Sequence, residues 1–256
     1  MYDILIIGYG VVGKNLENEL KPLSPDIIDK YKIEENKTTK NEYDVAFICV
    51  NTPFTEDSPC DYSEVINAIN ENRNKMKEDG IFVIKSTILP GTSDKIRKET
   101  GARIVFSPEY YGSTQHNNNF NFDFTILGGE KKDCTKIVQI LQKIYDGRHI
   151  FHITDTKTAE LAKYMENSWL ATKVSFCCQF FEIAEKVGVN YEELRELFIL
   201  DPRVNPSHTF VYRDHPYWES HCLDKDVPAI AITEDAEFLK AVIEFNENKK
   251  NEFEKD

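Results

Sequence analysis

The chain has 256 residues, 41% of them hydrophobic and 29% charged, which suits a folded chain of one large or two medium domains. Its formal net charge of −13 argues against a nucleic-acid partner or an anionic membrane surface, so any anionic ligand must be held by local amides and a few placed cations. No apolar run approaches a membrane span and the N-terminus lacks a signal peptide, so a cytoplasmic protein is expected. The six cysteines form neither a CxxC pair nor a zinc-spaced cluster, and no metal is expected.

The opening stretch, MYDILIIGYGVVG, feeds a short apolar run into Gly8, Gly10 and Gly13 at GxGxxG spacing. That spacing suits a tight strand-to-helix turn in which the first glycine bends and the second lets backbone approach a pyrophosphate. The third glycine packs the helix close, and the helix start (Val11, Val12) offers amides. Strands are predicted at Asp3–Ile7, Ile27–Asp29, Asp44–Val50, Ile81–Ser86, Arg103–Phe106 and Phe124–Leu127, alternating with helical or polar stretches. This is the signature of an α/β domain with a parallel, Rossmann-type sheet over residues 1–154. Asp29 ends the second strand about 20 residues past the glycines, where an acid accepts ribose hydroxyls. It favours NAD, although Lys30 and Lys32 leave NADP open, and a turn or cap Asp is the simpler alternative. The third, fourth and fifth strands run into Asn51-Thr52-Pro53, Lys85-Ser86-Thr87 and Ser107-Pro108-Glu109, segments expected to line one crevice. The run Asn117–Asn119 reads as a loop.

From residue 155 to 256 a mostly helical second domain is expected. Asp155 caps a long central helix to about Val187, roughly 48 Å at 1.5 Å per residue, with Gly188 ending it. Asn190 and Glu193 start another helix, Tyr191–Leu200. A Pro-, His- and Asp-rich stretch covers Asp201–Pro228. One amphipathic helix follows over Ile230–Phe245, and a polar tail frays after Asn246. Lys163 and Asn167 lie four apart on one helix face, where an ammonium and an amide can steady a developing alkoxide. From spacing alone, a solvated lysine and an interhelix asparagine are the simpler reading. Cys222, flanked by His221 and Lys225 with Asp226 four residues on, is a candidate nucleophile beside a candidate base. Its neighbours equally fit a packed cysteine before a helix capped by Asp226.

These residues together resemble the UDP-glucose/GDP-mannose dehydrogenase family. The ordered matches are Gly8-Tyr9-Gly10-Val11-Val12-Gly13, Val50-Asn51-Thr52-Pro53, Lys85-Ser86-Thr87 with Pro90-Gly91-Thr92, and Ser107-Pro108-Glu109. Ala159-Glu160 through Lys163, Asn167 and Leu170–Phe176, then Asp201-Pro202-Arg203, and finally Cys222, Lys225 and Asp226 complete the series. The resemblance implies NAD-dependent oxidation of a nucleotide-sugar C6 alcohol to the carboxylate, within polysaccharide biosynthesis. Cys222 carries a thiohemiacetal and then a thioester, and Lys163 and Asn167 stabilise oxyanions. Asp226 and Thr87 handle protons and water, and Glu109 assists hydrolysis. Glu109, Tyr110, Lys163, Asn167 and Arg203 contact substrate, with Arg203 reaching a neighbouring subunit of a homodimer formed through the second domain.

Two departures stand out. The chain stops after the second domain, so a separate chain is one possible source of the family's third. The family's glycine-rich run before the nucleophile is replaced by Tyr217-Trp218-Glu219-Ser220-His221, where Trp218 and Glu219 are expected to crowd a sugar. The family's acidic residue after Glu109 is also missing, with Gly112-Ser113 nearby, and Ser107 replaces its asparagine. Two alternatives therefore accompany the main reading: a two-domain β-hydroxyacid dehydrogenase making one oxidation, and an NAD-binding subunit with altered catalysis.

Overall fold

A computed structural model describes residues 2–55, 57–110 and 122–253. The expected loop at Asn117–Asn119 and the Gly112-Ser113 departure lie outside them. Two compact units emerge, Met1–Pro53 with Cys60–Lys163, and Phe54–Pro59 with Tyr164–Asp256.

The first unit is built on seven strands: β1 (Ile4–Ile7), β2 (Asp26–Ile28), β3 (Tyr43–Ile48), β4 (Met76–Ile84), β5 (Ile104–Phe106), β6 (Phe124–Gly129) and β7 (Ile150–Thr154). Their order is β2-β1-β3-β4-β5-β6-β7. The first five pair in parallel, as in a doubly wound sheet. The strands are near-continuous apolar runs because both faces are covered. Leu5, Ile7, Ala46, Ile48, Phe82 and Ile84 pack on one side with Val65 and Ile69 of α2 (Ser63–Asn72) and Ile96 of α3 (Thr92–Thr100). Ile4, Ile6, Val45, Phe47, Ile81 and Val83 pack on the other with Leu16 and Leu20 of α1 (Val11–Leu20) and Ile137 and Ile140 of α4 (Lys131–Leu141).

Three strand expectations need correction. β6 runs antiparallel to β5, so the sheet is mixed; β7, joined to β6 through α4, is parallel to β6. β7 itself was not anticipated: it is an edge strand with Ile150 63% exposed, and carries no buried run to mark it. β4 begins at Met76 rather than Ile81, because polar residues 77–79 extend it across a register shift opposite Tyr43/Val45.

Helix α5 (Thr156–Val187) has 32 residues. It begins as expected: Asp155 accepts the Thr158 N–H at 2.9 Å. It ends at Gly188, whose φ of +72° only glycine adopts easily, with the Val189 N–H bonded to Ala184 O at 2.8 Å. Asn190 caps α6 (Tyr191–Phe198) by accepting the Glu193 N–H at 2.8 Å, and α6 stops two residues before the expected Leu200.

The C-terminal reading is corrected more deeply. Two helices, α7 (Leu223–Thr233) and α8 (Glu237–Phe253), replace the single one expected, separated by a turn with Asp235 at φ 50°. Pro228, read as belonging to an irregular stretch, lies inside α7. The polar tail stays helical to Phe253 because α8 is anchored by buried Asn246 and by Lys249 paired with Glu182.

Candidate active site

The glycine turn links β1 to α1 and its geometry is steric. Gly8 has φ +94°, and a Cβ there would lie 2.5 Å from the Cys49 carbonyl oxygen; a Cβ on Gly13 would overlap the Gly8 carbonyl oxygen. At Gly10 a Cβ would meet nothing within 4 Å, so the turn presents bare backbone to open space. The first N–H groups of α1, from Val11, Val12 and Gly13, face that same end, as a pyrophosphate requires. These residues therefore fit a dinucleotide.

Asp29, just past β2, is 9% exposed. One carboxylate oxygen accepts the Tyr9 N–H at 2.6 Å, and the other accepts those of Tyr31 at 2.8 Å and Lys32 at 2.7 Å. Burial pushes this carboxyl up, but the three amides and the Lys32 charge outweigh it, and its pKa is lowered. Asp29 thus locks the glycine turn from below. A carboxylate has about four acceptor sites, so one remains for a hydroxyl. Lys32 Nζ is held at 2.9 Å by Tyr9 O.

The three strand-end segments do come together. Thr52 Oγ1 donates to Thr87 O at 2.6 Å, and Ser86 Oγ to Val50 O at 2.6 Å. Asn51 and Pro53 are exposed beside buried Thr52. Lys85 is a functional candidate that motif reading assigned no role. It is 9% exposed, with Nζ 3.4 Å from Glu109 Oε2, 3.5 Å from Ser107 Oγ and 3.4 Å from Pro108 O. The available signal was alternation: Lys85 continues the inward set Ile81 and Val83. Glu109 also accepts the Tyr110 N–H at 2.8 Å, and the Tyr110 ring centroid lies 4.8 Å from Lys163 Nζ. Glu160, fully buried, accepts the N–H groups of Gly91 and Ser93 and so fixes the start of α3.

In the second unit, Asn167 and Asp226 are 3% and 1% exposed. Asn167 Nδ2 donates to Asp226 Oδ2 at 2.6 Å, while Lys225 Nζ lies 2.5 Å from Asp226 Oδ1. Lys163, one helical turn before Asn167, is 7% exposed, so the solvated-lysine half of the simpler reading fails, while its other half holds: Asn167 makes an interhelix hydrogen bond, from α5 to Asp226 of α7. Cys222 occupies the N-cap position of α7 and is exposed, so it is not a packed cysteine. Asp226 does not cap the helix: it lies inside α7 with its N–H bonded to the Cys222 carbonyl at 2.9 Å, and Ser220 Oγ accepts the Leu223 N–H at 3.0 Å. Elsewhere burial pushes Cys49 and Cys178 up to about 12, Cys134 to about 11, and Cys177 upward. Cys60 is buried too. Exposure alone singles out Cys222.

Trp218 does not crowd this segment. It is 5% exposed and packs with Ala171, Leu223 and Val227, its indole N–H donating to Ser175 Oγ at 3.0 Å. Asn246 clamps its backbone, accepting the N–H at 2.8 Å and donating to the carbonyl at 2.9 Å. Glu219 turns instead to Lys250, 2.6 Å away. Arg203 is exposed and forks onto Asp201.

A doubly wound sheet with this glycine turn and an acid at the end of β2 defines a dinucleotide-binding protein. Residues 14–148 match the NAD binding domain of the UDP-glucose/GDP-mannose dehydrogenase family, and residues 157–248 match that family's central domain. The chain belongs to this family, and NAD is the cofactor its first domain binds. It is similar to a UDP-glucose 6-dehydrogenase of Rickettsia felis, 31% identical over 79% of this chain and 47% of the relative. It is also similar to a UDP-N-acetyl-D-mannosamine dehydrogenase of Methanococcus maripaludis, 28% identical over 94% of this chain and 60% of the relative. A UDP-glucose dehydrogenase structure from Pyrobaculum islandicum shares the fold with a TM-score of 0.80, at 21% identity over 97% of this chain and 68% of that one. The chain spans about half the length of the curated relatives it matches. No described helix is long and apolar enough to cross a membrane.

Proposed function

We propose that this protein oxidises the C6 alcohol of a nucleotide sugar to a carboxylate. NAD, when bound at the glycine turn, supplies the hydride acceptor for each of two oxidations. The single observation that carries the reading is the buried Asn167–Asp226 hydrogen bond, which ties the Lys163/Asn167 helix to the helix that Cys222 opens. In this reading Lys163 and Asn167 stabilise the alkoxide and later oxyanions by charge and hydrogen bonding. The Cys222 sulfur adds to the aldehyde carbon to give a thiohemiacetal, and loss of hydride from that carbon gives a thioester. Water then displaces the sulfur, with Asp226 and Thr87 managing the proton and the water and Glu109 assisting.

Arg203 serves a neighbouring subunit in this reading, in a homodimer made through the second unit. The exposed apolar residues Trp169, Phe176, Phe180 and Ile183 along α5 support such a contact. The rest of the nucleotide is held by a further domain or a separate chain.

The test is NAD reduction with UDP-glucose, UDP-N-acetylmannosamine and GDP-mannose. Two NADH per sugar are expected, with a loss of about 1000-fold in Cys222→Ala. No turnover across the panel overturns the reading. One observation favours a second reading: Glu109 is drawn inward to Lys85, which suits a single oxidation without thioester hydrolysis. That reading expects one NADH per substrate, Cys222→Ala active and Lys163→Ala inactive.

A further inference from the structure

Lys163 is a buried lysine whose ammonium lies against an aromatic face, 4.8 Å from the Tyr110 centroid. Tyr110 is itself tightly held. Its N–H is bound by Glu109, whose other oxygen is paired with Lys85. Its ring meets Phe124 edge-on, with centroids 5.0 Å apart at 66°, and Phe122 at 5.9 Å. A lysine has a flexible four-carbon stem, and burial alone does not fix where its charge points. The negative face of a braced ring does, because the attraction is strongest where water is excluded.

We propose that Tyr110 is a positioning residue for Lys163, its ring face holding the ammonium in the orientation that stabilises an oxyanion. This rests on the reading of Lys163 given above and assigns Tyr110 a task that its hydroxyl does not perform. Two consequences follow from the physics. Any ring of equal electron density at position 110 holds Lys163, and an aliphatic side chain of similar bulk does not.

The first experiment needs no substrate. The rate of Lys163 acetylation by acetic anhydride is followed by mass spectrometry on the full chain. Tyr110→Leu is expected to react about 5- to 30-fold faster than Tyr110→Phe. Phenylalanine carrying one, two and three fluorines at position 110 should raise the rate stepwise, since fluorine drains the ring face with little change in shape. A flat fluorine series, or equal rates for the Leu and Phe variants, overturns the proposal even if a structural disturbance affects one variant. The second experiment compares kcat on whichever of UDP-glucose, UDP-N-acetylmannosamine or GDP-mannose the wild type oxidises. Tyr110→Leu should fall below Tyr110→Phe by a similar factor with KM little changed, and equal kcat values remove the positioning role. Absence of wild-type turnover on all three sinks the catalytic reading of Lys163 and the positioning role with it, while the acetylation series still reports the ring contact separately.

Discussion

Two buried carboxylates are held in different ways. Asp29, in the first unit, is held by three backbone N–H groups. Asp226, in the second, is held by the amide of Asn167 and the ammonium of Lys225. The surroundings follow the same division. The glycine turn is shaped by side chains that are missing, whereas the segment before Cys222 is shaped by those present: Trp218, Ser175 and Asn246. A site made of backbone survives most substitutions except an added Cβ. A site made of side chains depends on the identity of each.

Four measurements press on this contrast. The largest effect is expected from Trp218→Gly, which removes the buried indole of the segment before Cys222. Emptying the core of its indole should cost about 3–5 kcal/mol in urea unfolding. A loss below about 1 kcal/mol would mean that Trp218 is not a structural element. In the first unit the same size of effect should need only one added methyl. Gly8→Ala combines left-handed strain with a Cβ against Cys49 O and should cost about 3 kcal/mol and abolish NAD binding in calorimetry.

Asn167→Ala comes next. It leaves an oxygen of buried Asp226 unpaired, at about 2–3 kcal/mol. By contrast Tyr31→Ala and Lys32→Ala keep the amides on Asp29 and should change stability by about 0.5 kcal/mol or less. Equal losses at the two carboxylates would erase the distinction.

The smallest loss expected of a buried carboxylate is a pH dependence carried by Asp26, a fully buried residue of β2. Burial opposes its ionisation, but hydrogen bonds from Thr39, Tyr43 and Lys40 hold its pKa at about 2, below the ordinary 3.8. As pH falls the unfolded chain takes up this proton first. The stabilisation is complete above the ordinary value and is lost as pH drops through about 2. The stability difference between wild type and Asp26→Asn should therefore shrink by about 2 kcal/mol from pH 5 to pH 2. A constant difference would show that Asp26 is not charged in the fold.

Local signals made most of the first unit legible. Apolar runs marked β1 to β6, most clearly β1, β3 and β5, whose residues are all buried, and glycine spacing marked the turn. The direction of β6 was not legible, since strand propensity carries no sense of direction. Edge strand β7 lacked a buried face to mark it. In the second unit, caps at Asp155, Gly188 and Asn190 were readable, being one-turn interactions. The break between α7 and α8 was not, because α7 accommodates Pro228 and α8 relies on Asn246 reaching Trp218, 28 residues away.

The sequence by itself determined the βαβ start, the dinucleotide turn and the helix that carries Lys163 and Asn167. Each follows from short-range sterics, period and hydrogen bonding within a few residues. Only the tertiary structure decided which groups are buried and what they meet: Lys85 against Glu109, Lys163 against Tyr110, Asn167 against Asp226, and Trp218 in the core. These pairings are 24 to 59 positions apart along the chain or turn on which way one ring faces. The physical reason is that a charged or aromatic side chain takes its role from its partners and its distance from water, and chain folding alone supplies both.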